Sequence, residues 1–137
     1  NRHNVPFRSR FVTFPRMKNE EFLSLLEKAD IYLDLPTFSG FTTAWKGVNC
    51  GIPIVTLEGQ FMRQRLASGL LRKIGLPETI ANSFDNYTSI VERLVKLKKN
   101  EALWRIYRQE IKGAAALADN DLSVVRTLEI FFSDCLR

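Results

Sequence analysis

The spacing of apolar residues changes along this chain, and the change divides it. Up to about residue 82, short apolar runs alternate with helical stretches; beyond that, only helical spacing is found. Arg10–Phe14 (RFVTF) is short, aromatic and β-branched, and it reads as a buried strand ended by Pro15. Lys18–Lys28 is amphipathic, with Phe22, Leu23, Leu25 and Leu26 near one face. Asn19 reads as its N-cap, and Glu20 and Glu21 suit the positive end of its dipole. Ile31–Leu35 is the second strand and Ile54–Leu57 the third, with a helix over Thr42–Cys50 between them. Arg63–Ile74 is a further helix, ended by Gly75, and Leu76-Pro77-Glu78 opens a short segment toward Ile80.

Three helical stretches follow with no strand between them. Asp85–Lys99 carries Tyr87, Ile90, Val91, Leu94 and Leu97. Glu101–Lys112 carries Leu103, Ile106, Tyr107 and Ile111, and Asp121–Leu136 carries Leu122, Val125, Leu128, Phe131, Phe132 and Cys135. Each therefore has one buried face. Asn100 and Gly113 punctuate them, and Asp121 can cap the last. Alternating strands and helices imply right-handed βαβ units, a parallel sheet and an α/β fold. About three strands make half of a doubly wound domain. The expected organisation is a disordered or linker start over 1–9, a Rossmann-like half-domain over 10–82, and C-terminal helices over 83–137 packed on it. The rest of the sheet is expected upstream of Asn1.

Composition changes this picture little. The chain has 137 residues, 45% hydrophobic and 26% charged, as an ordinary globular domain does. No apolar run approaches the roughly 20 residues that span a bilayer, and the polar start shows no signal peptide. The net charge of +5 is spread without a run of five basic residues, and no RNP-like motif or zinc-finger spacing points to nucleic acid. Cys50 and Cys135 read as reduced, apolar helix residues in a cytoplasmic protein. The single histidine, His3, argues against a histidine triad or a histidine metal site within this chain.

The chemistry concentrates between Leu33 and Glu58, LDLPTFSGFTTAWKGVNCGIPIVTLE. A strand enters a Pro/Ser/Gly turn, and Thr42 and Thr43 stand where the next helix starts. Ligands of parallel sheets bind outside the carboxyl ends of the strands. The turns at Pro15–Lys18, Pro36–Thr42 and Glu58–Gln60 lie on that edge. Free amides and the helix dipole make the start of the helix an anion site. Ser39 and Gly40 precede it, and Gly40 allows close approach of a ligand. A plain N-cap that binds nothing explains the same residues. Asp34, at the end of its strand, is expected to order the turn that follows. Glu58 reads as a turn residue, and the two carboxylates alone do not make a glycosidase pair. Trp45 and Trp104 read as packing.

Four segments carry a family resemblance: Ala29–Thr43 (ADIYLDLPTFSGFTT), the turn Gly51-Ile52-Pro53-Ile54-Val55-Thr56, Gly59–Ser68 (GQFMRQRLAS) and Ile74–Ala81 (IGLPETIA). In order and spacing, Arg10 to Leu136 resembles the C-terminal catalytic lobe of the O-linked N-acetylglucosamine transferase and SPINDLY-type glycosyltransferases. That family includes bacterial cytoplasmic N-glycosyltransferases. The resemblance implies one part of a two-lobed GT-B enzyme, often set behind tetratricopeptide repeats. It implies that Thr42 and Thr43 hold the diphosphate of a UDP-sugar, with Gly40 as the close-approach residue in the turn Ser39–Thr43. It places Arg16, Met17 and Asn19, in the turn from Pro15 to Phe22, near uracil and ribose. The helix dipole, amides and basic side chains would stabilise departing UDP. No metal and no permanently bound cofactor are implied.

Two positions depart from the family pattern. Phe41 stands where a histidine often precedes the paired threonines, and Lys46 stands where an acidic residue meets the ribose. Phe41 cannot donate a hydrogen bond to phosphate, whereas Lys46 offers a cation to one. The leading expectation is the donor-binding part of a transferase moving N-acetylglucosamine or a hexose from UDP to a protein side chain. Its catalytic groups would lie on the other lobe, leaving this fragment inactive by itself. A transferase-like scaffold module without donor binding is the alternative, and a sugar-nucleotide epimerase or lipid-linked glycosyltransferase is a third. The helix over 121–136 is expected to cross back to the other lobe, and its bare Phe131/Phe132 face would favour self-association.

Overall fold

Ile54–Leu57, here β2, is apolar on both faces and forms the middle of the sheet. In the computed structural model, residues 10–119 and 121–136 are described. The order is α1 (Asn19–Lys28), β1 (Tyr32–Leu33), α2 (Thr42–Asn49), β2 (Ile54–Leu57), α3 (Leu66–Lys73), β3 (Ile80–Ala81), α4 (Phe84–Lys98), α5 (Glu101–Ala114) and α6 (Ser123–Cys135). Short 3₁₀ turns at Met62–Gln64, Pro77–Thr79 and Ala115–Leu117 join some of them. The three strands pair in parallel in the order β1-β2-β3. Tyr32 lies opposite Ile54, and Thr56 opposite Ile80.

Alternation along β2 sends successive side chains to opposite faces. Ile54 joins Ala44, Val48, Leu70, Leu71, Ile74, Ile111 and Ala115 on one side. Val55 joins Ala81, Ile90, Leu94 and Trp104 on the other. Each fully buried aliphatic side chain of this kind contributes about 1.5–3 kcal/mol. Because α5 contributes to both clusters and α4 to the second, they are integral to the lobe. Trp45 and Tyr107 pack at the margins of the first cluster.

Several expectations need correction. Arg10–Phe14 is not a strand but irregular chain outside the three-stranded sheet, and Val12 is 75% exposed. The third strand is Ile80–Ala81 instead. β-propensity describes a fit to a half-buried pleated surface, and Arg10–Phe14 lacks that surface. Asn19 is the first helical residue of α1 rather than its cap; Lys18 takes that place, and Glu21 accepts its N–H at 2.9 Å. Gly113 does not stop α5, because the alanines after it are strong helix formers and carry the helix on. Cys50 is the C-cap of α2 and Cys135 is exposed; both are free. α6 buries none of its residues, so it does not pack on the lobe as expected for all of 83–137. Its start is held by the Lys73–Asp121 ion pair and by Asp121 accepting the Ser123 N–H. Residues 1–9, including His3, lie outside the described residues.

Two glycines mark the helix ends that lead into the sheet. Gly51 has φ +69° and Gly75 has φ +75°, the left-handed region that ends helices. At Gly51 there is a second constraint. Arg108 donates to its carbonyl at 3.0 Å and to that of Cys50 at 3.2 Å, tying α5 to the end of α2.

Candidate functional site

The carboxyl ends of β1, β2 and β3 share one edge, and the turn after β1 is built from behind by Asp34. This residue is 2% exposed. Its carboxylate accepts from Ser39 Oγ at 2.6 Å, Thr56 Oγ1 at 2.7 Å and the Gly40 amide at 2.8 Å. The expected role of Asp34 in ordering the turn is thus seen directly. Tyr87 Oη donates to the Asp34 carbonyl at 3.1 Å, and burial pushes its phenol up to about 12. Gly40 is required by the protein's own atoms rather than by a ligand alone, since the hydroxyls of Thr43 and Tyr32 occupy the space of a side chain. Those two hydroxyls are bonded to each other at 2.9 Å.

Downstream, α2 begins with no side-chain cap, because Phe41 holds the N-cap position. Helical geometry leaves the first-turn amides at 42–44 without intrahelical partners. An uncapped end with free amides and the positive dipole is a favourable place for an anion. Phe41 is 57% exposed, and a hollow of about 540 Å³ remains in front of the turn, lined by Ser39, Gly40, Phe41, Thr42 and Thr43.

A second hollow of about 600 Å³ lies between α1 and α2, lined by Phe14, Pro15, Arg16, Met17, Asn19, Phe22, Leu25, Thr43 and Lys46. It brings together all four of Arg16, Met17, Asn19 and Lys46. Thr43 lines both hollows. The walls are apolar, with two cations and no carboxylate among the lining residues. Lys46 Nζ donates to Asn19 Oδ1 and lies 5.6 Å from the centre of the Phe22 ring. Asn19 is available for this because it is not spent as a cap. Such a space suits a flat, partly apolar group joined to an anion.

Two features of this edge escaped sequence reasoning. Tyr32 on β1 reaches Thr43, a contact that only the β1–α2 packing creates. Glu58 is more than a turn residue: it accepts from Arg65 Nε at 3.0 Å, from Arg72 Nη1 at 2.7 Å and from Ser68 Oγ at 3.2 Å. The Arg72 guanidinium, aided by Arg65 and Ser68, holds its carboxyl down at about 2. The spacing 65, 68, 72 is one helical face, and that signal was present in the sequence. Among the described residues no cluster of three or more His, Cys, Asp or Glu side chains could hold a metal ion, and no helix is long and apolar enough to cross a membrane.

Comparison with known proteins decides the family. The model of glycosyl transferase family 41 matches residues 3–119. The chain belongs to this family. A UDP-N-acetylglucosamine–peptide N-acetylglucosaminyltransferase of Caenorhabditis elegans is 34% identical over 86 residues, covering 63% of this chain and 8% of that protein. A probable enzyme of the same name, SPINDLY, from Petunia hybrida is 25% identical over 101 residues, covering 74% of this chain and 11% of that protein. A mutant O-GlcNAc transferase of Thermobaculum terrenum superposes with a TM-score of 0.72 at 28% identity, over 85% of this chain and 22% of that one. The family 41 chain described here therefore spans about a tenth of these curated relatives' length. Its three parallel strands flanked by helices form part of a Rossmann-like lobe of the GT-B fold.

Proposed function

We propose that this chain is the donor-binding part of a glycosyltransferase that moves a sugar, N-acetylglucosamine or a hexose, from a UDP-sugar to a protein side chain. The observation that carries this reading is the junction at Thr43. There the uncapped start of α2 meets an apolar-walled hollow carrying Arg16, Asn19 and Lys46. The diphosphate sits on the amides and hydroxyls of Thr42 and Thr43, and the nucleoside lies along Met17, Phe22 and Asn19. Lys46 faces the phosphates from the side and adds charge-assisted hydrogen bonding. As the glycosidic bond breaks, negative charge grows on UDP, and fixed amides and cations stabilise it without reorganising. UDP-sugar is substrate, not a resident cofactor, and the scheme needs no metal. An acceptor protein and a second lobe are the partners the scheme requires, in the cytoplasm, where the nucleotide sugar is available.

The scaffold reading rests on Phe41 and Lys46. Phe41 would support it by crowding the turn, but it is more than half exposed and lines the hollow in front of the turn without filling it. The test is Thr42→Val with Thr43→Val in the full-length enzyme, titrated with UDP. Loss of affinity with an intact fold is expected, and unchanged affinity would sink the assignment.

A further inference from the structure

The turn that presents the α2 amides is fastened to the sheet by a single carboxylate, and the partners of that carboxylate fall into two sets. Ser39 and Gly40 belong to the turn. Thr56 belongs to β2, on the sheet side. Ser39 Oγ also accepts the Ala67 N–H at 2.9 Å, and the Ser39 amide donates to the Arg63 carbonyl at 2.8 Å. The start of α3 is thus anchored to the same point. A carboxylate only accepts, so it fixes the direction of every donor around it. Hydrogen bonds to an ionised acceptor are also about twice as strong as neutral ones. The Gly40 amide is consumed in this way. The amides at 42–44 are the ones left for a ligand.

We propose that Asp34 is a positioning residue for the anion site. Acting through Ser39 and Gly40, it sets the angle at which α2 offers its first-turn amides and the Thr42 and Thr43 hydroxyls, and it never touches the ligand. The inference rests on the donor-site reading above. The arrangement makes a distinction that a merely structural role would not. Ser39 and Thr56 both donate to Asp34 Oδ2, but only Ser39 lies in the turn.

The experiment compares Asp34→Ala, Ser39→Ala and Thr56→Val in the full-length enzyme, by thermal melting, UDP titration and donor kinetics. All three are expected to lower Tm. Ser39→Ala weakens UDP about tenfold, the value of one hydrogen bond's geometry, while Thr56→Val stays within about twofold. In Ser39→Ala the donor KM rises and kcat at saturating donor holds. Equal UDP affinities for the Ser39 and Thr56 variants, whether both weakened or both unchanged, would overturn the proposal and leave Asp34 a stabilising residue only. If Asp34→Ala does not fold, the Ser39/Thr56 pair decides alone. A wild-type enzyme that ignores UDP overturns the donor-site reading itself, and this proposal with it.

Discussion

Replacing Gly40 with alanine is the sharpest single perturbation of the site. A Cβ there would lie 2.4 Å from Thr43 Oγ1, 2.6 Å from Tyr32 Oη and 3.7 Å from Asp34 Oδ1. The first two distances are far inside van der Waals contact, so something must move. Thr43 can rotate its hydroxyl away, but it then gives up its 2.9 Å bond to Tyr32. Tyr32 cannot swing freely, because its strand is paired with β2. Overpacking of this kind costs about 1–3 kcal/mol and the lost hydrogen bond about 1 kcal/mol, so the variant should lose about 2–4 kcal/mol. Urea denaturation measures this as a lower midpoint at unchanged m-value. Displacing Thr43 should also weaken UDP about tenfold or more. A Gly40→Ala protein with the parental midpoint and parental UDP affinity would refute the reasoning, because it would show that the turn has room to spare.

Three further outcomes follow from the geometry. Gly51→Ala should cost more than Gly75→Ala in thermal melts, since both sit at positive φ but only at Gly51 would the new Cβ strike backbone, 2.6 Å from the Arg108 carbonyl oxygen. Glu58→Gln should lose about 1 kcal/mol at pH 7, a modest figure because Arg65 and Arg72 are half-exposed and water screens the pairs. The Glu58 carboxyl is depressed from 4.5 to about 2, so its contribution is complete above pH 4.5 and is lost as pH falls toward 2. Urea midpoints of the parent should therefore drop across that window, and those of Glu58→Gln should drop less. Lys46→Met should weaken UDP several-fold and flatten the salt dependence of its binding, with stability changed by less than about 0.5 kcal/mol, because the Asn19 contact is exposed. An unaltered UDP affinity would remove Lys46 from the site.

The βαβ unit from β1 through α2 to β2 was legible because three local signals agreed: an apolar run, a Pro/Ser/Gly turn and a glycine-proline exit. The helices α4 and α5 were legible from periodicity, and their Ser83 and Asn100 caps match ordinary capping chemistry. Arg10–Phe14 failed for the opposite reason: its residue types favour strands, but no sheet edge receives it. Ile80–Ala81 shows no strand signal in the sequence, since two residues carry no period, and β2 is what makes them a strand.

The site divides along the same line. Residue types and order alone determined that a Ser/Gly/Thr turn precedes a helix, that Asp34 ends a strand, and that the chain resembles the O-linked N-acetylglucosamine transferase and SPINDLY-type glycosyltransferases. Those are local facts, set by backbone preferences over a few neighbours. Tertiary structure alone decided that Asn19 meets Lys46 across 27 positions, that Tyr32 meets Thr43, and that Asp34 gathers Thr56 from 22 positions away. It also decided that α6 stands with its apolar side chains in solvent. Such contacts depend on how layers pack around β2, and no periodicity within one element encodes which face of another it will meet.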